Sequence, residues 1–115
     1  NGIGLAANQI GYNKRMFVMD VSNERDNPQV FINPVVKAKN NIKMTDTEGC
    51  LSCPGEEIKV SRSVSINLEW KCRHGKDQHK TFFYLPCRVV QHEMDHLNGK
   101  LITDHGPILK RENIG

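Results

Sequence analysis

The 115-residue chain has no apolar run approaching the roughly 20 residues that cross a bilayer. It opens on Asn1-Gly2-Ile3-Gly4-Leu5, not on a basic segment leading into an apolar stretch, so neither a membrane span nor a secretory signal is expected. The absence of an opening Met reads as processing or trimming. Repeats and low-complexity tracts are missing too. Aromatic residues are only 6% of the chain, and its net charge of +3 is scattered without a basic run, so no direct nucleic-acid binding is expected. Cysteine is sparse: Cys50, Cys53, Cys72 and Cys87. With no export signal and 37% hydrophobic residues to build a core, these read as free thiols in a reducing cytoplasm.

What is present suits one soluble domain over residues 1–115, too short for two of ordinary size. Met16-Phe17-Val18-Met19, within 14–21, reads as a strand buried on both faces. A loop follows over 22–28. Residues 30–34 read as a short strand ended by Pro34, and 37–43 as an exposed turn. Over 64–73 the alternation of Val64, Ile66, Leu68, Trp70 and Cys72 with polar residues predicts a half-buried strand. A turn at 74–77 returns it to a partner at 81–84 as a hairpin. The period then changes. Pro86 suits a first helical turn and Gly99 a stop, so a helix is expected over 86–98, with Leu85, Val89, His92 and His96 on one stripe. A second short helix after Pro107 is weakly signalled. The expected fold is α+β, with antiparallel strands packed around one central metal-binding helix.

Chemistry concentrates in His92-Glu93-Met94-Asp95-His96. Residues four apart share a helix face, so two imidazoles can bind one ion, with Glu93 about 100° round the helix, where it can handle protons without ligating. The bland alternative is a solvated helix with two incidental histidines. A catalytic ion of this kind takes three protein ligands and keeps one position open. Cys50 is the best third candidate, because Gly49 before it lets the backbone approach closely. A small buried thiol in a loop remains the alternative for Cys50.

Three segments, Gly2-Ile3-Gly4-Leu5-Ala6-Ala7-Asn8-Gln9, Glu48-Gly49-Cys50-Leu51-Ser52 and Gln91-His92-Glu93-Met94-Asp95-His96, resemble the signature segments of peptide deformylases in order and spacing. The likeness runs from Gly2 to about Pro107. The family's amino-terminal segment and most of the carboxy-terminal helix of many bacterial members are absent. The resemblance implies that Cys50, His92 and His96 bind one divalent ion, that Glu93 is the catalytic acid and base, and that the Gln9 amide and Leu51 N–H face a developing oxyanion. It implies Fe(2+) as the natural ion, with Zn(2+), Ni(2+) or Co(2+) tolerated. The implied reaction removes the formyl group from the initiator methionine of newly made polypeptides and releases formate, in a cytoplasm or an organelle and with transient proximity to the ribosome. Ile3, Gly4, Gly49, Arg88 and Val89 would line the peptide, which extends along the strand at Ile3 and Gly4.

Further roles are expectations on the residues themselves. Glu48 can accept from the distal nitrogen of a ligating imidazole, with Arg62 holding it in place. Arg88 and Asp46 stand where the family often has apolar residues. They are expected to form an ion pair that narrows or polarises the methionine pocket, unless Arg88 reaches out to solvent. Two other functions fit parts of the pattern. Cys50 and Cys53 with both histidines could form a closed structural Cys₂His₂ zinc module. Alternatively, a zinc peptidase of the His-Glu-x-x-His type would take its third ligand downstream, at Asp104 or His105.

Overall fold

The computed structural model describes residues 4–7, 14–22, 26–50, 53–100, 102–105 and 108–111, with the backbone alone at 50, 53–56, 102–103 and 108–111. The described residues form strands β1 (Gly4–Ala6), β2 (Met16–Met19), β3 (Gln29–Lys39), β4 (Lys43–Cys50), β5 (Cys53–Ser63), β6 (Ser65–Lys71) and β7 (Asp77–Phe83). Helix α1 (Tyr84–Leu97), a short 3₁₀ helix (Ile102–His105) and β8 (Ile108–Arg111) follow. Five strands make one sheet in the order β1-β2-β3-β6-β7, and β4-β5-β8 make a second. Neighbours pair antiparallel throughout. The helix packs against β1, β2, β6 and β7 of the first sheet and β5 of the second, which bears out the α+β expectation.

The core is compact despite the few aromatics, because four of them meet. Phe17 stacks on Phe31 with ring centroids 4.6 Å apart, and Phe31 in turn meets Trp70 at 4.7 Å and Phe82 at 6.0 Å. Ile66 and Leu68 extend this layer from β6, as the alternation predicts, and Cys87, Val90 and Met94 close it from α1. The buried face of the helix therefore differs from the expected stripe. Leu85 is 53% exposed. Positions 87, 90, 91 and 94 carry the core contact, with Gln91 among them because both ends of its amide are satisfied. Its Oε1 accepts from Ser63 N–H at 3.1 Å, and its Nε2 donates to Ser63 O at 2.9 Å.

Pro34 does not end its strand. β3 continues to Lys39 because its pairing with β6 shifts register between Ile32 and Val35, and Asn33 takes a positive φ of 50° in that irregularity. A bulge is where a proline, which lacks the ladder donor, can sit inside a strand. Residues 37–43 are exposed, yet only 40–42 form the connection between β3 and β4. The hairpin of β6 and β7 turns through Gly75, whose φ of 79° suits glycine. The helix starts two residues earlier than expected and stops in a Schellman motif: Gly99 N–H donates to His96 O and Lys100 N–H to Asp95 O. The segment after Pro107 is strand β8, paired with β5, not a helix.

Candidate active site

α1 and β4 bring His92, His96 and Glu48 together. His92 Nε2 and His96 Nε2 lie 3.1 Å apart. Two ligands about 2.0 Å from one tetrahedral ion sit roughly 3.3 Å apart, so this spacing suits a shared ion. His92 turns its other nitrogen to Glu48, with Nδ1 2.8 Å from Oε1. A carboxylate in that position fixes the ring's tautomer and orientation, as imidazole ligands usually require. A thiolate with two imidazoles is also a donor set that accepts zinc and iron alike. Among the described side chains no group of three such donors gathers, and the side chain of Cys50 lies outside them. Its backbone is opposite Cys53 where β4 and β5 meet.

Glu93 is 3% exposed and packs against β1. A Cβ on Gly4 would lie 2.7 Å from Glu93 Oε2 and 2.9 Å from Val89 Cγ1, distances that real side chains essentially never adopt. Glycine is thus a packing requirement here: it lets the edge strand β1 touch the helix at its acidic residue. Gly4, Val89 and Glu93 accordingly meet. Gly49 is exposed on β4. Ile3, Gln9 and Leu51 fall outside the described residues.

Glu48 is the hub of a buried ionic cluster. Arg62 grips it with two bonds, Nε to Oε2 at 2.7 Å and Nη2 to Oε1 at 2.8 Å, the bidentate geometry that makes Arg–carboxylate pairs strong. Burial alone would raise the Glu48 carboxyl. Hydrogen bonds from His92, Arg62 and Arg88 and the charge of Arg62 outweigh that effect and hold it at about 2. Both expectations for Glu48 and Arg62 thus have their geometry.

The expected Arg88–Asp46 pair does not form. Arg88 Nη1 pairs with Glu48 Oε2 and donates to Val60 O at 3.0 Å, while Nη2 donates to Met44 O at 2.7 Å. Its side chain is 14% exposed, so it does not reach out to solvent either. Asp46 is exposed and accepts from the N–H of Thr47. Positions 46 and 48 lie on the same face of β4, and only the second reaches the helix. The downstream ligand of a peptidase fares no better. His105 Nε2 lies 2.7 Å from Asp95 Oδ2, which also accepts from Arg62 Nη1 at 2.9 Å. Asp95 and Gln91 are structural contributors that sequence reasoning left without a role. Their signal was a buried-facing polar residue within a helical motif.

The family model described as polypeptide deformylase matches residues 1–112. The chain belongs to the peptide deformylase family. A relative named peptide deformylase 2, from Xanthomonas campestris, is 46% identical over 98% of this chain and 66% of its own length. The peptide deformylase of Stenotrophomonas maltophilia is 44% identical with the same coverage. This deformylase-family chain therefore spans just under two thirds of the curated relatives it matches. Among solved structures, a probable peptide deformylase from Synechococcus phage S-SSM7 superposes with a TM-score of 0.86 at 40% identity, covering 90% of this chain and 72% of the other. A Synechococcus elongatus peptide deformylase in complex with actinonin gives 0.85 at 38% identity, with 97% and 57% coverage. These matches lend no support to the structural zinc module or the zinc peptidase.

Proposed function

We propose that this chain removes the N-formyl group from the initiator methionine of new polypeptides and releases formate. The observation that carries the reading is the 3.1 Å approach of both imidazole Nε2 atoms on the same helix that presses the buried Glu93 against Gly4 of an edge strand. In this reading Cys50, His92 and His96 hold one divalent ion, Fe(2+) by family likeness, with Zn(2+), Ni(2+) or Co(2+) as substitutes. When bound, such an ion supplies Lewis acidity, making water a better acid and a carbonyl carbon a better electrophile.

The chain's own groups do the rest. β1 is the terminal strand of its sheet, so an extended peptide can add to its outer edge through backbone hydrogen bonds that ignore sequence. Ile3, Gly4, Gly49 and Val89 line that path, and Arg88 shapes it from behind by bracing β4 and β5. The Glu93 carboxylate takes a proton from the attacking water. The Gln9 amide and Leu51 N–H donate to the oxyanion that develops on the formyl oxygen, each worth about 3 kcal/mol. Glu93 then returns the proton to the departing methionine nitrogen, and formate and a free amine remain. Glu48 holds His92 in register throughout. We place this work in the cytoplasm or an organelle near the ribosome. No helix among the described residues is long and apolar enough to cross a membrane.

The test is formate release from formyl-methionyl peptides by anaerobically iron-loaded protein. Glu93→Ala should lower turnover by about 10²- to 10⁴-fold while keeping its metal. Undiminished formate release from that variant would refute the assignment.

A further inference from the structure

We propose that His105 is a positioning residue for the ion site, acting through a line of charged hydrogen bonds that ends on His92. The inference rests on the reading that His92 is a ligand. The line begins at His105 Nε2, 2.7 Å from Asp95 Oδ2. It continues through Arg62, whose Nη1 donates to the same Asp95 oxygen at 2.9 Å and whose Nε and Nη2 grip Glu48 at 2.7 and 2.8 Å. It closes where Glu48 Oε1 meets His92 Nδ1 at 2.8 Å.

Two oxygens in this line are shared, and sharing makes it more than a row of independent pairs. Glu48 Oε1 serves both Arg62 and His92, and Asp95 Oδ2 serves both Arg62 and His105. Guanidinium is a rigid planar fork, so the two carboxylates that it bridges cannot turn independently. The acceptor that fixes the imidazole of His92 is thus oriented by Arg62, with Arg88 on its other oxygen, and Arg62 by Asp95. His105 holds Asp95 from the outer end. Because a carboxylate needs a donor opposite it, Nε2 of His105 carries the proton in this pair.

Burial separates this contact from an ordinary surface pair. The His105 and Asp95 side chains are 15% and 24% exposed, whereas Lys71 and Asp77, the ion pair of the β6–β7 hairpin, are 51% and 88% exposed. Exposed pairs of the second kind contribute little. His105 also sits beyond the helix stop, in the 3₁₀ helix that packs on β4 and β5. Asp95, Arg62 and His105 line a cavity of about 510 Å³ with Gln91, Met94 and Asn98. The segment after the helix is thus tied to His92 through Asp95, Arg62 and Glu48.

The test is the rate at which a chelator strips cobalt from the cobalt-loaded protein, followed by the ion's visible absorption. His105→Phe fills the ring's space without a donor, and His105→Gln restores an N–H near Nε2. The phenylalanine variant should lose cobalt about tenfold faster, the lower end of what removing an outer partner of a ligand does. Its ion-free melting midpoint should fall only slightly, because Asp95 keeps its bond from Arg62, and the glutamine variant should strip at close to the wild-type rate. Wild-type stripping of His105→Phe, or equally fast stripping of both variants, overturns the proposal. His92→Ala separates the two levels. Cobalt retained there as in wild type would sink the ion-site assignment itself, and the role of His105 with it, whatever the His105 variants do.

Discussion

The two sides of α1 are held by opposite means. Toward the five-stranded sheet, Cys87, Val90 and Met94 meet a layer of aromatic and aliphatic side chains in which each contact is one of many. Toward β4 and β5, the helix meets the buried Glu48 and Arg62, where every partner is specific. Dispersion contacts are individually small and substitutable, so the apolar side should yield by degrees. A buried ionic cluster has no such reserve, because removing one member leaves another charged and unsatisfied. The side that positions the chemistry is thus the less forgiving one.

The largest effect that would sharpen this contrast is expected from Arg62→Leu. It strips Glu48 of a bidentate partner and Asp95 of one bond, and should destabilise the chain by about 3–5 kcal/mol in urea melts. The Glu48→Leu, Arg62→Leu double variant should lose less than the sum, with a coupling of about 1–3 kcal/mol. Strict additivity would break the comparison. Gly4→Ala comes next, since its methyl would collide with Glu93 and Val89. It should cost about 1–3 kcal/mol of stability and lower formate turnover more than peptide binding. Phe31→Leu, at the centre of the aromatic layer, should cost no more than about 1.5 kcal/mol, because its neighbours can repack.

The smallest effect is confined to acid. The Glu48 carboxyl is held at about 2 in the folded chain, below its ordinary value of 4.5. Its contribution is therefore fully present above the ordinary value and is lost as pH falls toward the folded one. Glu48→Gln, though less stable at neutral pH, should show a flatter fall in stability over that window in the ion-free protein. An unchanged acid limb would count against the cluster.

Much of the site was legible in the sequence because it is local. The spacing of His92 and His96 needs only helical geometry, and β6 announces itself by strict alternation. The Gly4 motif and the Glu48–Arg62 expectation point to the same corner of the fold. What was not legible depends on register. Asp46 and Glu48 share a face of β4, and nothing in the sequence says which one the helix covers: Arg88 finds Glu48 and not Asp46. The stripe departs at Leu85 for a similar reason, while Val89 packs on the core and His96 is buried. Two sheets bury different arcs of the helix, and Gln91 belongs to the core only because Ser63 satisfies it. β4 and β5 were missed because polar residues dominate their exposed sides, and β8 because its strand character comes from its partner. β3 outran Pro34 through a bulge that proline alone does not reveal.

The account turns on one sulfur and two imidazoles around a single ion with room left over. X-ray absorption of the zinc- or cobalt-loaded protein reads this directly. It should report one sulfur at about 2.3 Å, two nitrogens at about 2.0–2.1 Å and one light exchangeable neighbour. Two sulfurs and no exchangeable neighbour, or no sulfur at all, would contradict it.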